Sequence, residues 1–371
     1  MDFEFSDDQQ QLRDACARWV SKSYSFERRR AIVAEGGFSA QAYAELAELG
    51  LCALYVPDDQ GGMGMGPVEG MVVMEELGRG MVLEPLVQTL MTSVVLTQYA
   101  DAAVQQDWLS GMASGEQLVV LATLERKARY QLNSYQTVAQ AVGDGWQLSG
   151  NKHLVSAGDC AHAYVVSAQA QGRLALFLVR ADASGVRASG YATQDGSRAA
   201  DVQFDAAPAT LVTSDGLTAL EHAVDVGIAA LCAQGVGVME QTLAATVDYM
   251  NTRKQFGVVI GSFQALRHRI ADVKMQLELA RSMSYFASLK LGEPAAQRRR
   301  AISQAKVQIG NSARYVGQQC TQLHGGIGVT DEYISSHYFK RLTMLEMQFG
   351  DTLHHLGEVS ARMQPTAGVF A

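Results

Sequence analysis

Hydrophobic and polar residues follow three successive patterns along the chain, and the first pattern is helical. Up to about residue 115 the apolar side chains recur three or four residues apart, as one face of a helix requires. The clearest example is the run Leu12, Cys16, Trp19 and Val20. Ser6 and Gln9 precede this run with the spacing of a capping box, in which each side chain bonds to the other residue's backbone. This part of the chain is predicted to be a set of helices.

A glycine-rich loop interrupts these helices at residues 61–66, which read Gly-Gly-Met-Gly-Met-Gly. Loops of this kind can bind phosphate when they follow a strand and carry a lysine. Neither feature is present here, so the loop is predicted to be a flexible connector.

The second pattern, between about residues 119 and 212, alternates polar and apolar residues as strands do. Residues 138–142 and 146–148 flank Gly143-Asp144-Gly145, and residues 163–168 and 174–179 flank Gln171-Gly172. Both pairs are predicted to form β-hairpins, because glycine and aspartate favour the tight turns between antiparallel strands.

A further strand is indicated by Val202 and Phe204, which follow Asp195-Gly196, and Pro208 is expected to end the β region. Several short strands closed by turns are typical of a small antiparallel β-barrel or sandwich.

The third pattern begins near residue 216 and is helical again. Apolar residues recur at helical spacing over one long segment: Phe263, Leu266, Ile270, Val273 and Leu277. Only Pro294 and Pro365 interrupt this region, so four helices joined by short loops are predicted to form an antiparallel bundle. The predicted fold class is α+β multidomain, with a helical domain at 1–118, a β-domain at 119–214 and a helical bundle at 215–371.

The composition limits the possible partners. With 371 residues, 48% of them hydrophobic and 18% charged, the chain is an ordinary globular protein. Its net charge of −8 argues against nucleic acid, because phosphate backbones are bound by excess Lys and Arg. The two short basic runs, Arg28–Arg30 and Arg298–Arg300, are predicted to be solvated helix faces.

Location is also indicated by the sequence. The chain begins MDFEFSDDQQ, which has no export signal, and no apolar stretch free of charges is expected to span a membrane. The five scattered cysteines form neither a disulfide framework nor a C-x-x-C pair, which fits a reducing compartment. We therefore expect a cytoplasmic protein.

The segment Tyr249–Gly257, followed by Gly261–Gln264, carries the first candidate binding residues. It is predicted to contain the end of one long helix, a turn and the start of the next helix. Arg253 offers a planar guanidinium suited to a pyrophosphate, and Phe256 offers a face for an aromatic ring. The same residues also fit a surface arginine beside a packing phenylalanine.

The second candidate segment is Gln322–Thr330, which contains Gly325 and Gly326 directly after a predicted helix. Paired glycines let backbone N–H groups approach a ligand closely and surround an anion. A plain helix stop with glycine after the last turn explains the same pattern.

Together these segments resemble the acyl-CoA dehydrogenase family of flavoproteins over almost the whole chain. The resemblance rests on four motifs in the family's order: Leu148–Lys152, Arg253-x-x-Phe256-Gly257, Phe263-Gln264 and Gln322-x-x-Gly325-Gly326. Details such as ELGLCALYVPDD and FGDTLHHL are most similar to the small-subunit type of bacterial heteromeric enzymes, which act on dicarboxylic or steroid-derived acyl-CoAs.

The resemblance implies FAD as the cofactor and assigns residues to it. One group is expected to hold the pyrophosphate and adenosine end from the neighbouring subunit of a dimer: Arg253, Phe256, Gln264, Gln322, Gly325 and Gly326. Ser156 matches a hydroxyl that hydrogen-bonds flavin N5, and Thr352 matches a residue that contacts the pyrophosphate within its own subunit. Thr123 is expected to contact the flavin ring. No metal site is implied.

The implied reaction is α,β-dehydrogenation of an acyl-CoA, in which a glutamate removes the α-proton and the β-hydrogen leaves as hydride to the flavin. Counted from Arg341, the glutamate position falls on Gly350. A second position used by some members, counted from Gly237, falls on Gly227. Both positions are glycine, which indicates a vacated active site. Installing a glutamate at Gly350 is a hypothetical way to restore the base.

Four nearby side chains are weaker candidates for the catalytic base. Asp351 is one residue from the base position and would point about 100° away on a helix. Asp225 is two residues from the second position. His354 and His355 are adjacent, so a helix would splay them apart and a shared metal is not expected.

A second departure from the family lies at residues 122–130, which read ATLERKARY. The family has a Thr-Glu-Pro loop there, followed by Gly-Ser-Asp, whose glycines let the backbone approach flavin and thioester. Their absence argues against acyl-CoA binding in this subunit.

Three hypotheses of function follow. The first is a subunit of an FAD-dependent acyl-CoA dehydrogenase, paired with a larger homologue that carries the base, or with a second copy, and serving an electron-acceptor flavoprotein. The second is a self-sufficient flavin oxidoreductase in which Asp351 is the base. The third is a non-catalytic assembly subunit without flavin.

Overall fold

A computed structural model describes residues 5–133, 135–143 and 145–363. Contacts between Cα atoms divide the chain into two compact units. The first unit contains the chain up to Arg29, the segment Pro67–Val82 and everything from Ile228 onward. The second unit contains Arg30–Gly66 and Leu83–Gly227. The predicted order of helical, β and helical segments is confirmed.

Six helices precede the β region: α1 (Asp7–Ser23), α2 (Phe26–Ala34), α3 (Ala40–Glu48), α4 (Pro67–Arg79), α5 (Leu86–Tyr99) and α6 (Ala102–Ala113). Short 3-10 helices lie at Leu51–Ala53 and Asp58–Gln60. The predicted capping box is present at α1, where the Ser6 side chain accepts from the Gln9 backbone and the Gln9 side chain accepts from Ser6.

The glycine-rich loop at 61–66 is not the flexible connector that its sequence predicts. Its backbone N–H groups bond in succession to the preceding turn, from Gly62 to Pro57, Gly64 to Val56 and Met65 to Leu54. A Cβ at Gly62 would lie 1.9 Å from the Val56 carbonyl oxygen. The glycines therefore serve close backbone packing and fix the loop.

Seven strands form one sheet: β1 (Val119–Ala122), β2 (Val138–Val142), β3 (Gly145–Ser156), β4 (Ala163–Ala170), β5 (Arg173–Arg180), β6 (Val186–Ala192) and β7 (Arg198–Thr213). The order β4-β2-β3-β7-β5 closes into a barrel because β5 also pairs with β4. β1 pairs with β4 outside this ring, and β6 pairs with β7. The β1–β4 and β2–β4 pairings are parallel, so the barrel is not purely antiparallel.

Both predicted hairpins are confirmed. β2 and β3 pair antiparallel up to Val142–Gly145, and Asp144 lies outside the described residues. β4 and β5 join at Gln171 and Gly172, whose φ angles of 51° and 80° fit a tight left-handed turn.

Pro208 lies inside β7 instead of ending the β region. On one side it is opposite Gln147 of β3. On the other side β6 pairs with β7 only up to Phe204, and β5 pairs from Thr210 onward. Pro208 therefore lies between the part of β7 that pairs with β6 and the part that pairs with β5. No partner strand needs a backbone N–H from it on that side.

Up to residue 363, where the described part ends, the C-terminal region has five helices instead of the predicted four: α7 (Gly216–Thr252), α8 (Gln264–Lys290), α9 (Ala295–His324), α10 (Ile334–Met347) and α11 (Thr352–Met363). A two-stranded hairpin, β8 (Lys254–Gln255) and β9 (Val258–Val259), lies between α7 and α8. By length and composition α7 could cross a membrane, a stretch that the sequence analysis did not single out. Most of its apolar window is buried in the protein, as expected of a core helix.

A buried ion pair fixes the loop between β1 and β2 to the barrel. The Glu125 carboxylate accepts hydrogen bonds from Lys152 Nζ at 2.7 Å, from Thr137 Oγ1 at 2.7 Å and from the backbone N–H groups of Thr137 and Gln136. Lys152 also donates to Ser167 at 3.1 Å. Burial lowers the pKa of Lys152 to about 8, against the opposing charge of Glu125. The pair keeps both charges because each has bonded partners.

We predict that Glu125→Gln lowers the free energy of unfolding by about 3–5 kcal/mol, because it leaves the Lys152 ammonium buried without its counter-ion. The double variant Glu125→Gln/Lys152→Met should recover part of this loss. Lys274→Met, which removes an exposed i,i+4 partner of Glu278, is the control and should change stability by less than about 1 kcal/mol. Calorimetry of the full chain measures all three, and a Glu125→Gln variant as stable as the control would contradict the prediction.

Candidate active site

The first group of candidate residues lies where α7 ends. Arg253 follows the last residue of α7, and the hairpin of β8 and β9 turns at Phe256 and Gly257. These two residues have φ angles of 52° and 80°. A two-residue hairpin turn of type I′ has positive φ at both positions, which costs Gly257 nothing and strains Phe256.

The end of α9 lies against this hairpin through a small apolar core. Met250, Ile260 and Leu323 are buried together, and Tyr249, Leu266 and Ile270 pack against them. The Tyr249 and His324 rings lie 4.7 Å apart between centroids and are tilted by 31°. This core brings the Arg253 segment and the Gln322–Gly326 segment to one surface of the first unit.

The candidate side chains on this surface point to solvent. Phe256 is 92% exposed, although it is a large aromatic residue in a strained conformation. Arg253, Gln264 and Gln322 are also exposed. In the part of the chain that the structure describes, the side chains of these three residues have no hydrogen-bond or ionic partner. Their functional groups are therefore available to a ligand or to another chain.

The glycines of this surface have open space in front of them. Gly325 has φ 65° and ψ −142°, a conformation that side chains with Cβ rarely adopt. A Cβ built on Gly325 or on Gly326 would meet no heavy atom within 4 Å. The chain's own packing thus does not require glycine at 326, and the exposed backbone can admit a closely bound anion.

The turn between α10 and α11 contains Gly350, the position at which the resemblance predicts the catalytic glutamate. Phe349 and Gly350 have φ angles of 56° and 116°. A Cβ at Gly350 would lie 2.6 Å from His354 Cδ2 and 2.6 Å from His355 Nε2. Both the backbone conformation and the imidazole rings disfavour a side chain at residue 350. A glutamate installed there would have to displace an imidazole ring and strain this backbone, and whether it restores a base remains a prediction.

His355 holds this turn in place. Its Nε2 lies 3.1 Å from the Phe349 carbonyl oxygen, and its Nδ1 lies 3.3 Å from Ser303 Oγ. Burial, followed by the charge of Lys306, lowers the pKa of His355 to about 3, so the ring is neutral at pH 7. The geometry then assigns the ring proton to Nε2, which donates to Phe349, while the Ser303 hydroxyl donates to Nδ1.

Asp351 and His354 have structural partners in this turn. Asp351 is not on the helix, as the sequence argument assumed, but precedes it, and its Oδ1 accepts from the His354 N–H at 2.8 Å. It is therefore an N-cap of α11. The His354 and His355 rings meet edge to face with centroids 5.0 Å apart. Among the described residues no group of three or more His, Cys, Asp or Glu is placed to bind a metal.

Thr352 is buried and lies apart from the exposed surface. Its hydroxyl donates to Glu346 Oε1 at 2.8 Å, and its backbone N–H donates to the same oxygen at 3.0 Å. A contact with pyrophosphate remains a prediction, and it would require the hydroxyl proton that Glu346 now accepts, because pyrophosphate oxygens only accept hydrogen bonds. Sequence reasoning missed Glu346, although a single carboxylate in an apolar helix is a recognisable candidate for a buried partner.

Two candidates for the flavin ring lie in the second unit. Thr123 follows β1, and Ser156 is the last residue of β3. Both are half-buried, and their hydroxyls have no partner among the described residues. The backbone N–H of His153 donates to the Leu124 carbonyl at 2.9 Å, which ties the segment after β1 to β3. This hydrogen bond therefore joins the backbone segments that carry the two hydroxyls, and both hydroxyls can donate to a ligand.

The second base position is also without a carboxylate. Gly227 and Asp225 are both buried in α7, and Asp225 is only 2% exposed. Gly237 lies in the same helix, where a Cβ would be 1.9 Å from the Glu75 carbonyl of α4. The close contact between α7 and α4 therefore requires glycine at residue 237. This is the residue from which position 227 is counted.

Comparison with known proteins identifies this arrangement. Three models match the chain in order: the acyl-CoA dehydrogenase N-terminal domain at residues 6–116, the middle domain at 121–207 and the C-terminal domain at 214–364. The chain belongs to the acyl-CoA dehydrogenase family. It has that family's three-domain fold, and it is an FAD-dependent oxidoreductase that acts on a CH–CH group.

Individual relatives are distant but cover nearly the whole chain. Acyl-CoA dehydrogenase FadE27 of Mycobacterium tuberculosis is 24% identical over 343 residues, which cover 90% of each chain. A structure described as a variant of the Tcur3481-Tcur3483 steroid ACAD is 28% identical with a TM-score of 0.90, covering 98% of this chain and 99% of that chain. The ChsE4-ChsE5 complex from M. tuberculosis is 24% identical with a TM-score of 0.91, covering 99% and 100%.

The exposed surface fits the cofactor of the family. FAD is a pyrophosphate flanked by two ring systems, so it needs cationic and amide donors, glycine backbone and aromatic contact. The surface supplies each of these groups: the guanidinium of Arg253, the amides of the two glutamines, the open glycines and the ring of Phe256. The donors and the open space belong to this chain, and none of the described residues occupies them.

We predict that Gly350→Ala lowers the free energy of unfolding by about 2 kcal/mol or more, because Cβ meets both imidazoles and the φ of 116° is strained. Gly357→Ala is the matched control in α11, where a Cβ meets nothing within 4 Å. That change should leave stability unchanged or raise it by about 0.5–1 kcal/mol. Equal thermal midpoints for the two variants would refute the steric account of the turn.

Proposed function

We propose that this chain is the base-deficient subunit of a heteromeric acyl-CoA dehydrogenase, and that it completes an FAD site at a subunit interface. The observation that carries the proposal is the turn at Phe349–Gly350. His355 holds its backbone in a conformation that disfavours a side chain at the predicted base position, which supports the proposal. A chain built in this way depends on another subunit for the proton acceptor.

The exposed surface supports the interface part of the proposal. Phe256 has a strained backbone and is almost fully solvated, an arrangement that costs free energy unless something covers the ring. Several neighbouring apolar side chains are also exposed: Val258, Phe263, Ile327 and Val329. A second subunit that brings FAD to this surface would cover these groups and use the guanidinium of Arg253.

Each residue has a limited role in this proposal. The bound FAD supplies the hydride acceptor for the dehydrogenation. Arg253 and Gln322 would bind the pyrophosphate by charge-assisted and amide hydrogen bonds, and Gly325 and Gly326 would let the backbone approach it. Ser156 and Thr123 would donate to the flavin ring within their own subunit.

Two solved relatives support a heteromeric assembly, and the Tcur3481-Tcur3483 relative also supports a steroid-type substrate. One is described as the ChsE4-ChsE5 complex, and the other as a Tcur3481-Tcur3483 steroid ACAD. By analogy with them, the partner is a homologous subunit that supplies the base, and the acyl group is bulky and steroid-derived. An aspartate base at 351 is less favoured, since its carboxylate caps α11.

We expect Arg253→Ala to weaken FAD binding by roughly tenfold to hundredfold, because a charge-assisted contact contributes about 1.5–3 kcal/mol. Arg173→Ala removes an exposed arginine of the second unit and is the control. Bound flavin is measured by its absorbance after gel filtration of the native assembly. FAD retention unchanged in the Arg253 variant would contradict the interface assignment.

The isolated chain is expected to reduce its flavin very slowly with acyl-CoAs, because a positioned base contributes about 10²–10⁴-fold. Anaerobic flavin bleaching is measured for the chain alone and again with a candidate homologous large subunit. Rapid bleaching by the chain alone, abolished by Asp351→Asn, would show that Asp351 is a base and that the vacated-site proposal is wrong.

A further inference from the structure

Three neighbouring strands of the sheet carry a series of hydrogen bonds that ends on a histidine. The Leu154 N–H donates to the Tyr191 hydroxyl at 3.2 Å, and this hydroxyl donates to Asp201 Oδ1 at 3.1 Å. The other carboxylate oxygen, Oδ2, lies 3.0 Å from His153 Nδ1. The residues belong to β3, β6 and β7, which pair with one another through β7. The sheet therefore holds one imidazole against one carboxylate in a fixed arrangement.

This arrangement determines which nitrogen of His153 carries the proton. A carboxylate only accepts hydrogen bonds, so Nδ1 donates and Nε2 of the neutral ring keeps its lone pair. Burial acts to raise the pKa of Asp201, but the hydrogen bonds from His153 and Tyr191 lower it, so the carboxylate is ionised at neutral pH. Arg126 reaches this carboxylate only at 3.9 Å and its side chain is 79% exposed. Among the described residues Nε2 has no hydrogen-bond or ionic partner, so His153 is an oriented base with a free acceptor nitrogen.

The strand register places the Ser156 hydroxyl near this base. Ser156 pairs with Ala199 of β7, and directly opposed residues point to the same face of a sheet. Asp201 lies two residues after Ala199, so its side chain points to that face too, about 7 Å away along the strand. The opposite face is the barrel interior, where the neighbouring pairs are buried: Val155 with Ala200 and Lys152 with Val202. The carboxylate that orients His153 and the Ser156 hydroxyl therefore share one outer face.

The backbone that carries these groups is strained. Leu154 and Ala157 have φ angles of 51° and 49°, although neither is glycine. The strand also bulges here, because the single residue Asp201 lies opposite both His153 and Leu154. The Leu154 side chain is 56% exposed. Positive φ angles and a bulge at one place re-aim side chains at a free energy cost, and such strain is characteristic of functional sites.

We propose that His153, oriented by Asp201, takes up the proton that is released when electrons leave the bound FAD for an acceptor. Dehydrogenation delivers a hydride, which is two electrons and one proton, and a one-electron acceptor removes only the electrons. The proton moves to Nε2, the ring becomes an imidazolium, and Asp201 compensates its charge through the Nδ1–H. One bond to hydrogen breaks and one forms, and no electrons move in this step. The closeness of His153 to the cofactor rests on the role proposed for Ser156, whereas the tautomer of His153 does not.

A first test measures the reactivity of His153 in the native assembly, before and after removal of FAD. Diethyl pyrocarbonate attacks a free imidazole nitrogen, and peptide mass spectrometry follows each histidine separately. Without FAD, Asp201→Asn should slow the reaction at His153 by roughly tenfold, the lower end of what losing an orienting partner costs a histidine. Bound FAD should protect His153. His162 is the internal control, because its Nδ1 accepts from the Leu118 N–H at 2.9 Å and not from a carboxylate.

A second test follows the oxidation of the flavin. The flavin of the native assembly is reduced anaerobically with dithionite, and its oxidation by ferricenium, a one-electron acceptor, is recorded by stopped-flow absorbance. His153→Gln should slow this oxidation by at least about tenfold, because a positioned base contributes about 10²–10⁴-fold and water replaces part of it. Added imidazole should restore part of the rate, which a structural defect would not allow. His162→Gln is the matched control and should leave the rate unchanged.

Each outcome decides for or against the proposal. Slower modification of His153 in Asp201→Asn, protection by FAD and an oxidation rate that imidazole restores in His153→Gln together support it. Unchanged modification, no protection, an unchanged oxidation rate or a slow rate that imidazole does not restore overturns it. Arg253→Ala should weaken FAD binding and leave the modification of His153 without FAD unchanged. If Arg253→Ala retains FAD normally while His153→Gln slows oxidation, the proposed interface site fails and the proton acceptor stands.

Discussion

The hydrogen bond from His355 to the Phe349 carbonyl constrains the turn on which the functional interpretation depends. It is buried, its donor is neutral, and Ser303 fixes the other ring nitrogen. With that bond in place, Phe349 and Gly350 both keep positive φ angles, and the space in front of Gly350 is filled by imidazole. A side chain at residue 350 would therefore have to displace a histidine ring and strain the backbone of the whole turn.

The surface at the end of α7 and the loop after β1 are both unusual, for different reasons. At the end of α7 the chain exposes an aromatic ring in strained backbone and a guanidinium that has no partner among the described residues. An isolated chain gains nothing from either feature. In the loop after β1, by contrast, a buried ion pair makes a rigid base for exposed cations. Both arrangements keep charge or aromatic surface available for something outside the chain.

The sequence predicted the parts of the fold that local chemistry determines. The capping box at Ser6 and the turn at Gln171-Gly172 depend on neighbouring residues only, and both are present. Pro208 and the glycine-rich loop were misjudged, because their surroundings come from other segments: the gap between the partners of β7 in one case, and the Val56 carbonyl in the other. β6 was not predicted, since its exposed, glycine-containing sequence has little alternation.

The candidate site shows the same division. Motif spacing was enough to select Arg253 and Gln322, and the structure brings their segments together through one apolar core. Motif spacing could not reveal that the Thr352 hydroxyl is bonded to Glu346, or that a side chain at residue 350 would meet two imidazole rings. Both facts depend on φ angles and on residues from another helix. A base position is defined by backbone direction as much as by residue type. A turn that disfavours a side chain at that position leaves the cofactor-type surface intact, so binding and orienting the cofactor do not depend on whether residue 350 carries a carboxylate.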